Sequence, residues 1–253
     1  MQKMVVARIM LVMVPLLLAT GCGCRWASMV PDADTTTQDR DSWQEEFDLA
    51  DRTLVPTGRN RYFVLEPGFQ LVLVGGNEKV AITVLDETIE IDGVTTRVVE
   101  EREWKRGELK EVSRNFFAID PETQDVFYFG EDVDDYKDGK VHKHTGAWRA
   151  GKRKARPGLY MPGQPYVGQK HYLEIAPGVA MDRAEVVSLD DVLKTPAGSF
   201  SNCLKTKEGT ALNPLEQEFK TYAPEIGLIQ DENLLLTGYG FVAVDKIVGK
   251  SSE

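Results

Sequence analysis

The stretch "KVAITVLDETIEIDGVTTRVVEEREW", residues 79–104, decides the fold class. Apolar and polar residues alternate on both sides of its central Asp92-Gly93 pair, which is typical of β-strands with one packed face and one solvated face. An Asp-Gly pair between two such runs is a strong hairpin signal, because both central positions of the turn need positive φ. The stretch therefore predicts two antiparallel strands joined by a tight turn.

The same pattern continues outward from this hairpin. A second Asp-Gly pair lies at Asp138-Gly139, and "DPETQ" at 120–124 separates two further alternating runs. Strand-length runs recur about every ten residues with turn chemistry between them. We therefore expect residues 59–250 to form one mainly β domain, an antiparallel meander that makes a barrel, a half-barrel or a sandwich, with at most short helices.

Three segments of this region carry a family resemblance. They are "FFAIDPETQDVFYFGEDV" (116–133), "GSFSNCLKTKE" (198–208) and "YAPEIGLIQ" (222–230). In this order they resemble an uncharacterised family of secreted bacterial β-rich proteins with a Tyr-Ala-Pro-x-Ile-Gly-Leu strand turn. The resemblance covers most of residues 60–240. It implies a shared fold and brings no assigned activity or catalytic residue.

The N-terminus has the layout of an export signal. Lys3 and Arg8 precede an apolar stretch at 9–19, which is too short to span a bilayer comfortably. "ATGC" at 19–22 resembles the bacterial lipobox, in which signal peptidase II cuts before the cysteine and the sulfur carries diacylglycerol. The resemblance implies a lipoprotein signal peptide at 1–21 and lipidation of Cys22, which would anchor the protein without a transmembrane helix.

Two other interpretations of this segment stay open. One is an ordinary secretory signal that releases a soluble protein, and the other is an uncleaved N-terminal anchor helix. Residues 22–58 are rich in Thr, Asp, Gln and Pro in their first half, which predicts a tether. The stretch at 42–54 is compatible with a short helix in that tether. The expected location is extracytoplasmic and membrane-anchored, on the outer membrane or the periplasmic face of a bacterial envelope.

Charge and cysteine content narrow the classes of partner. The formal net charge of −10 argues against nucleic acid. Cys203 sits in an alternating run, where a lone cysteine is more often a small buried hydrophobe than a nucleophile. Whether it pairs with Cys24 is left open by the sequence.

Two segments are candidates for binding. A basic loop could meet lipid headgroups or an acidic partner in the envelope; it comprises Arg149, Lys152, Arg153, Lys154 and Arg156. A Pro- and Gly-rich segment places aromatic rings where they could contact a ligand at the mouth of a β-shell; these are Tyr160, Tyr166 and Tyr172.

Metal and catalytic signals are weak. His142 and His144 share one face of a strand, and His171 could complete a set of three, but their spacing requires no metal site, and exposed surface histidines are the alternative. No nucleophile elbow, zinc-protease helix, phosphate loop or dinucleotide fingerprint is present. We therefore expect neither a cofactor nor an enzymatic activity.

Three functions follow from these patterns. The first is a lipid-anchored binding or structural domain that could cradle an apolar ligand, because a lipobox before a curved sheet is loosely similar to the periplasmic lipoprotein-carrier and receptor half-barrels. The second is a scaffold or assembly partner that acts through the basic loop at 149–156. The third is a metal-dependent hydrolase that uses the three histidines.

Overall fold

The computed structural model describes residues 42–243. The expected signal peptide, the expected lipidation site Cys22, Cys24, the first part of the expected tether and the last residues of the expected β domain lie outside this range. Within it, no helix is long and apolar enough to cross a membrane.

The described residues form strands and a single three-residue 3-10 helix, Leu49–Asp51. The strands in chain order are β1 (Gly58–Asn60), β2 (Phe63–Leu65), β3 (Phe69–Gly75), β4 (Glu78–Ile91), β5 (Val94–Lys105), β6 (Glu108–Ile119), β7 (Val126–Lys137), β8 (Lys140–Lys143), β9 (Trp148–Arg149), β10 (Arg156–Met161), β11 (Lys170–Tyr172), β12 (Glu174–Ile175), β13 (Asp182–Thr195), β14 (Gly198–Thr210), β15 (Asn213–Ala223), β16 (Gly227–Asp231) and β17 (Leu234–Phe241). The mainly β prediction is confirmed.

Fifteen of these strands form one antiparallel sheet. Its order is β11-β13-β14-β15-β16-β17-β3-β4-β5-β6-β7-β10-β12, with β8 and β9 also paired to β7. The two end strands, β11 and β12, are separated in the chain by Leu173 alone. The sheet therefore curves until its two ends meet on either side of Leu173, but the strand order does not close. A half-barrel or a sandwich fits this arrangement, and a closed barrel is not formed by the described residues.

The turns follow the predicted chemistry. Asp92 and Gly93 have φ of 50° and 80°, and Asp138 and Gly139 have φ of 53° and 74°, which are the positive values that a two-residue hairpin turn of this type needs. The strand register places five turns at one end of the sheet, which we call the upper end. These turns lie at 76–77, 106–107, 138–139, 211–212 and 232–233.

The segment at 42–57 differs from the expected tether. Gln44 bridges to His171 of β11, Val55 bridges to Ile119 of β6, and Phe47 is buried against Phe127. Apart from the 3-10 helix this segment is not helical, and Asp48 before that helix makes no side-chain capping bond. Burial of Phe47 and backbone pairing at two sheet strands therefore attach the segment to the β domain.

The apolar core lies around the aromatic residues of β2, β6, β7 and β10. Phe117 stacks on Tyr128 with ring centroids 4.7 Å apart, and both rings contact Tyr160. Phe63 of β2 closes this group at 5.2 Å from Phe117. We call Phe63, Phe117, Tyr128 and Tyr160 the aromatic floor, because the charged groups described next act on Tyr160.

Candidate functional site

The inner face of the curved sheet carries a group of ionisable side chains. Glu101 lies on β5 and Lys220 on β15, which are five steps apart in the strand order, or about 24 Å on a flat sheet at roughly 4.8 Å per strand. The charges of Lys220 and Asp231 nevertheless act on Glu101. The curvature therefore brings these distant strands to face one another. We define the charged cluster as Glu101, Glu208, Glu218, Lys220 and Asp231.

Strand register explains how the cluster forms on one side. Lys220 of β15 is the cross-strand partner of Thr206 on β14 and of Asp231 on β16, and Glu218 is the partner of Glu208. Residues two apart on a strand, and residues directly opposite across a ladder, share one face of the sheet. Glu218 and Lys220 therefore lie on the same face of β15, next to their cross-strand partners Glu208 and Asp231.

Lys220 is the centre of the cluster. Its Nζ lies 3.1 Å from Glu218, 3.3 Å from Glu208 and 3.8 Å from Asp231, so three carboxylates share one ammonium group. Burial alone would lower the pKa of Lys220, but the charges of Asp231, Glu208 and Glu218 outweigh it and raise this pKa well above its ordinary value. Lys220 is therefore a permanent cation in the folded protein. Its side chain is 20% exposed, which leaves it within reach of solvent.

Hydroxyl groups complete the coordination of Glu208. Thr206 donates a hydrogen bond to Glu208 at 2.7 Å, and the Tyr222 hydroxyl donates another at 3.0 Å. Burial and the Glu208 charge raise the pKa of Tyr222 well above its ordinary value, so this hydroxyl keeps its proton and remains a donor. Glu208 is thus held between a lysine and two hydroxyls.

The remaining carboxylates of the cluster are harder to ionise. Burial, followed by the nearby Glu103, raises the pKa of Glu101 to about 8, while Lys220 opposes this rise. Burial also raises the pKa of Asp231 to about 6, again against the effect of Lys220. At neutral pH Glu101 therefore keeps a proton that an ordinary surface carboxylate would release, whereas Asp231 is mostly ionised. Perturbed titratable groups of this kind gather at functional sites more often than elsewhere.

The three tyrosines proposed for ligand contact are not brought together as one set. Tyr160 belongs to the aromatic floor, and burial raises its pKa, with Lys220 opposing the rise. Tyr166 is 59% exposed on a surface loop. Tyr172 meets Trp43 edge-on, with ring centroids 6.3 Å apart. Only Tyr160 of the three is tied to the charged cluster.

The basic loop divides into two parts. Arg149 binds Asp132 at 2.6 Å and lies over the Phe116 ring, and Arg156 pairs with Glu45 and Glu46. These two arginines therefore attach the loop to its own domain. The exposed part is Lys152, Arg153 and Lys154, for which the described residues supply no ion-pair partner.

The histidines do not form a common site. His142 and His144 are exposed near β8, where His144 contacts Asp134 at 2.8 Å. His171 is instead 1% exposed, so the expectation of three surface histidines is wrong for this one, which lies under the segment around Gln44. Within residues 42–243 no group of three or more His, Cys, Asp or Glu side chains is arranged to hold a metal ion.

Cys203 is fully buried in the core and is free in the described part of the chain, as expected for a small apolar residue. Burial raises the pKa of its thiol, which keeps it protonated and weakly nucleophilic.

Sequence reasoning missed the charged cluster. "LEQEFKTYA", residues 215–223, alternates as a half-exposed strand does, so Glu218 and Lys220 read as a solvated face. Their facing partner Glu101 is more than one hundred residues away in the chain, and no local pattern connects the two. A signal was present in the crowding of Glu100, Glu101 and Glu103 on one predicted strand, which is costly unless a cation lies nearby.

Comparison with protein-family models, with curated proteins and with solved structures gave no match.

Proposed function

We propose that this chain is an extracytoplasmic lipoprotein, held at a bacterial membrane by an acylated Cys22, and that its β domain binds a ligand without catalysing a reaction. Support for the anchor comes from the lipobox-like "ATGC" at 19–22 and the preceding charged and apolar segments. Two or more acyl chains are enough for stable membrane attachment. The absence of a catalytic motif supports a binding role over an enzymatic one.

The observation that carries the binding role is the charged cluster. Three carboxylates around one ammonium leave an excess of negative charge on the inner face. Glu101 keeps its proton at neutral pH and adds a hydrogen-bonding group beside them. A polar ligand with amino groups would supply the missing positive charge and would donate hydrogen bonds to these carboxylates. Tyr160 of the aromatic floor would contact the carbon skeleton of such a ligand.

In this proposal the inner face recognises the amino groups of its ligand, whereas in the apolar-ligand cradle it would recognise an acyl chain. Placing an acyl chain against Lys220 and its carboxylates would remove water from charged groups without replacing their hydrogen bonds. Native mass spectrometry of the protein purified from its own host distinguishes the two. A co-purifying amine supports the charged cluster, whereas a co-purifying lipid supports the apolar cradle and counts against the cluster.

Binding is tested directly with spermine as a probe amine in calorimetric titrations. We expect Asp231→Asn and Glu218→Gln to weaken spermine binding by about ten-fold each, the usual value of one charge-assisted hydrogen bond. The matched control is Glu122→Gln, which removes the same charge from an exposed turn residue. Equal weakening by all three substitutions would show that only net charge matters and would refute the site.

The anchor has its own test. Intact-mass analysis of the mature protein should show an N-terminal cysteine carrying acyl groups, and Cys22→Ser should remove both this mass and the membrane association. Mature protein in the culture medium, or a bare Cys22, would refute the anchor without bearing on the charged cluster.

A second candidate function is supported by the exposed part of the basic loop. Lys152, Arg153 and Lys154 would bind an acidic envelope partner, as expected for a scaffold or assembly role. Replacing the three with serine should abolish salt-sensitive capture of that partner while leaving spermine binding intact. Unchanged capture would count against this role.

A further inference from the structure

The hairpin between β14 and β15 ends in an uncharged tip at the upper end of the sheet. Between Glu208 and Glu216 the sequence is "GTALNPL", residues 209–215, which has no charged residue in a chain that is 28% charged. Leu215 is 93% exposed and Leu212 is 49% exposed. We call residues 209–215 the hairpin tip. Exposed leucines grouped on a projecting turn are unusual on a soluble surface, where apolar patches tend to mark contacts.

The described chain begins beside this tip. Trp43 lines a small cavity of about 60 Å³ together with Thr210 and Pro214 of the hairpin tip. The Arg183 guanidinium lies over the Trp43 ring, 4.3 Å from its centroid. The chain that leads back to Cys22 therefore leaves the domain next to the hairpin tip. Twenty residues separate Cys22 from Trp43, so the anchor point lies within about 70 Å even for a fully extended chain.

We propose that the hairpin tip contacts the lipid bilayer to which the protein is anchored. This proposal rests on the acylated Cys22 proposed above, because that anchor holds the domain close to the membrane. Leu212 and Leu215 would enter the apolar boundary of the bilayer, and Trp43 would lie at the level of the headgroups, where tryptophan is favoured. The cavity beside the hairpin tip is not basic, because three glutamates line it together with Arg183 and Lys207. The contact would therefore depend on the apolar tip and on Trp43.

The size of the patch favours a membrane over a protein partner. A stable protein interface buries roughly 800 Å² on each side, which two leucines and a proline cannot supply. A bilayer makes no such demand, since a few apolar side chains add usefully to an existing lipid anchor. The contact would also orient the domain, with its upper end towards the membrane.

The test uses the full chain, purified with its own anchor and reconstituted into vesicles of phosphatidylcholine and phosphatidylglycerol. A photo-crosslinking residue, p-benzoylphenylalanine, is placed at Leu215 or at Val192. Val192 is the matched control, because it is also strongly exposed, at 75%, but lies in the half of β13 that is farther from the upper end. We expect mass spectrometry to find about ten-fold more lipid adduct at position 215 than at position 192.

A second measurement uses the native tryptophans. Brominated lipids should quench the tryptophan fluorescence of the full chain, and Trp43→Phe should remove part of this quenching, since Trp43 is one of four tryptophans. Leu212→Ser with Leu215→Ser should reduce the part of the quenching that depends on Trp43. Equal lipid adducts at the two positions, or adducts at position 215 between two copies of the protein, would overturn the proposal. The intact mass tests the anchor by itself, because an unmodified Cys22 would refute it. In that case the chain is added to the same vesicles, and the ratio of lipid adducts at positions 215 and 192 tests the hairpin contact separately.

Discussion

His171 makes the stability of this protein depend on pH. It is 1% exposed, and neither ring nitrogen has a hydrogen-bond partner in the described part of the chain. Burial lowers its pKa to about 4, although the charge of Asp125 opposes this. The unfolded chain takes up a proton at this histidine below about pH 6.5, whereas the folded protein does not until about pH 4. The contribution of His171 to the free energy of unfolding is therefore fully present above pH 6.5. It is lost as the pH drops to 4, by about 3 kcal/mol in total.

Replacing this histidine should remove that dependence. We expect His171→Phe to retain at pH 5 about 2 kcal/mol that the unaltered protein loses between pH 7.5 and pH 5. Urea unfolding at both pH values measures the difference. His142→Phe, at an exposed position on β8, is the control and should follow the unaltered protein. An identical drop in His171→Phe and the unaltered protein would contradict a buried neutral imidazole.

Glu101 should have the opposite effect. Its raised pKa of about 8 means that the folded protein keeps a proton that the unfolded chain loses above about pH 4.5. Its contribution is therefore fully present below pH 4.5 and is lost as the pH rises through 8. We expect Glu101→Gln to gain on the order of 1–3 kcal/mol relative to the unaltered protein at pH 9, measured by urea unfolding. No gain at pH 9 would show that the Glu101 carboxylate is hydrated or is paired with a cation when it ionises in the folded protein.

Local sequence patterns predicted the hairpins but not their arrangement. The Asp92-Gly93 and Asp138-Gly139 turns follow from the backbone preference of these residue pairs, which acts over four residues. The pairing of β17 with β3 joins residues more than 150 positions apart. The change of partner at Leu173, where β11 pairs with β13 and β12 with β10, depends on packing across the whole sheet. No propensity over a short window contains such information.

Gly158 on β10 packs against the backbone at Leu173, where the two ends of the sheet meet. A Cβ at this position would lie 2.3 Å from the backbone of Leu173, which cannot move without breaking the pairing of β12. We expect Gly158→Ala to destabilise the protein by about 2 kcal/mol or more, as measured by urea unfolding. The control is Gly238→Ala, because a Cβ there has no heavy atom within 4 Å. Similar losses in both variants would mean that the effect lies in backbone entropy and not in the contact.

The N-terminal and C-terminal halves of the domain are joined into one sheet by β17. β17 pairs with β16 on one side and with β3 on the other, so the strands from β13 onward are connected to the strands β3–β7 through it. The charged cluster depends on the same connection, because Glu101 comes from one half and Lys220 from the other. Because these residues come from different halves of the chain, no local sequence pattern predicts that they form one site.

This connection predicts that the described domain unfolds as one cooperative unit. Leu236 of β17 is fully buried opposite Leu73 of β3, and Leu236→Ala should cost about 2–5 kcal/mol by leaving a cavity at the junction. If the two halves form a single unit, hydrogen exchange of β5 and β6 in one half and of β14 and β15 in the other should report the same lowered midpoint in urea. Tyr239→Ala, at a 49% exposed position on the same strand, is the control and should change the midpoint little. Separate midpoints for the two probes in Leu236→Ala would mean that the two halves unfold independently.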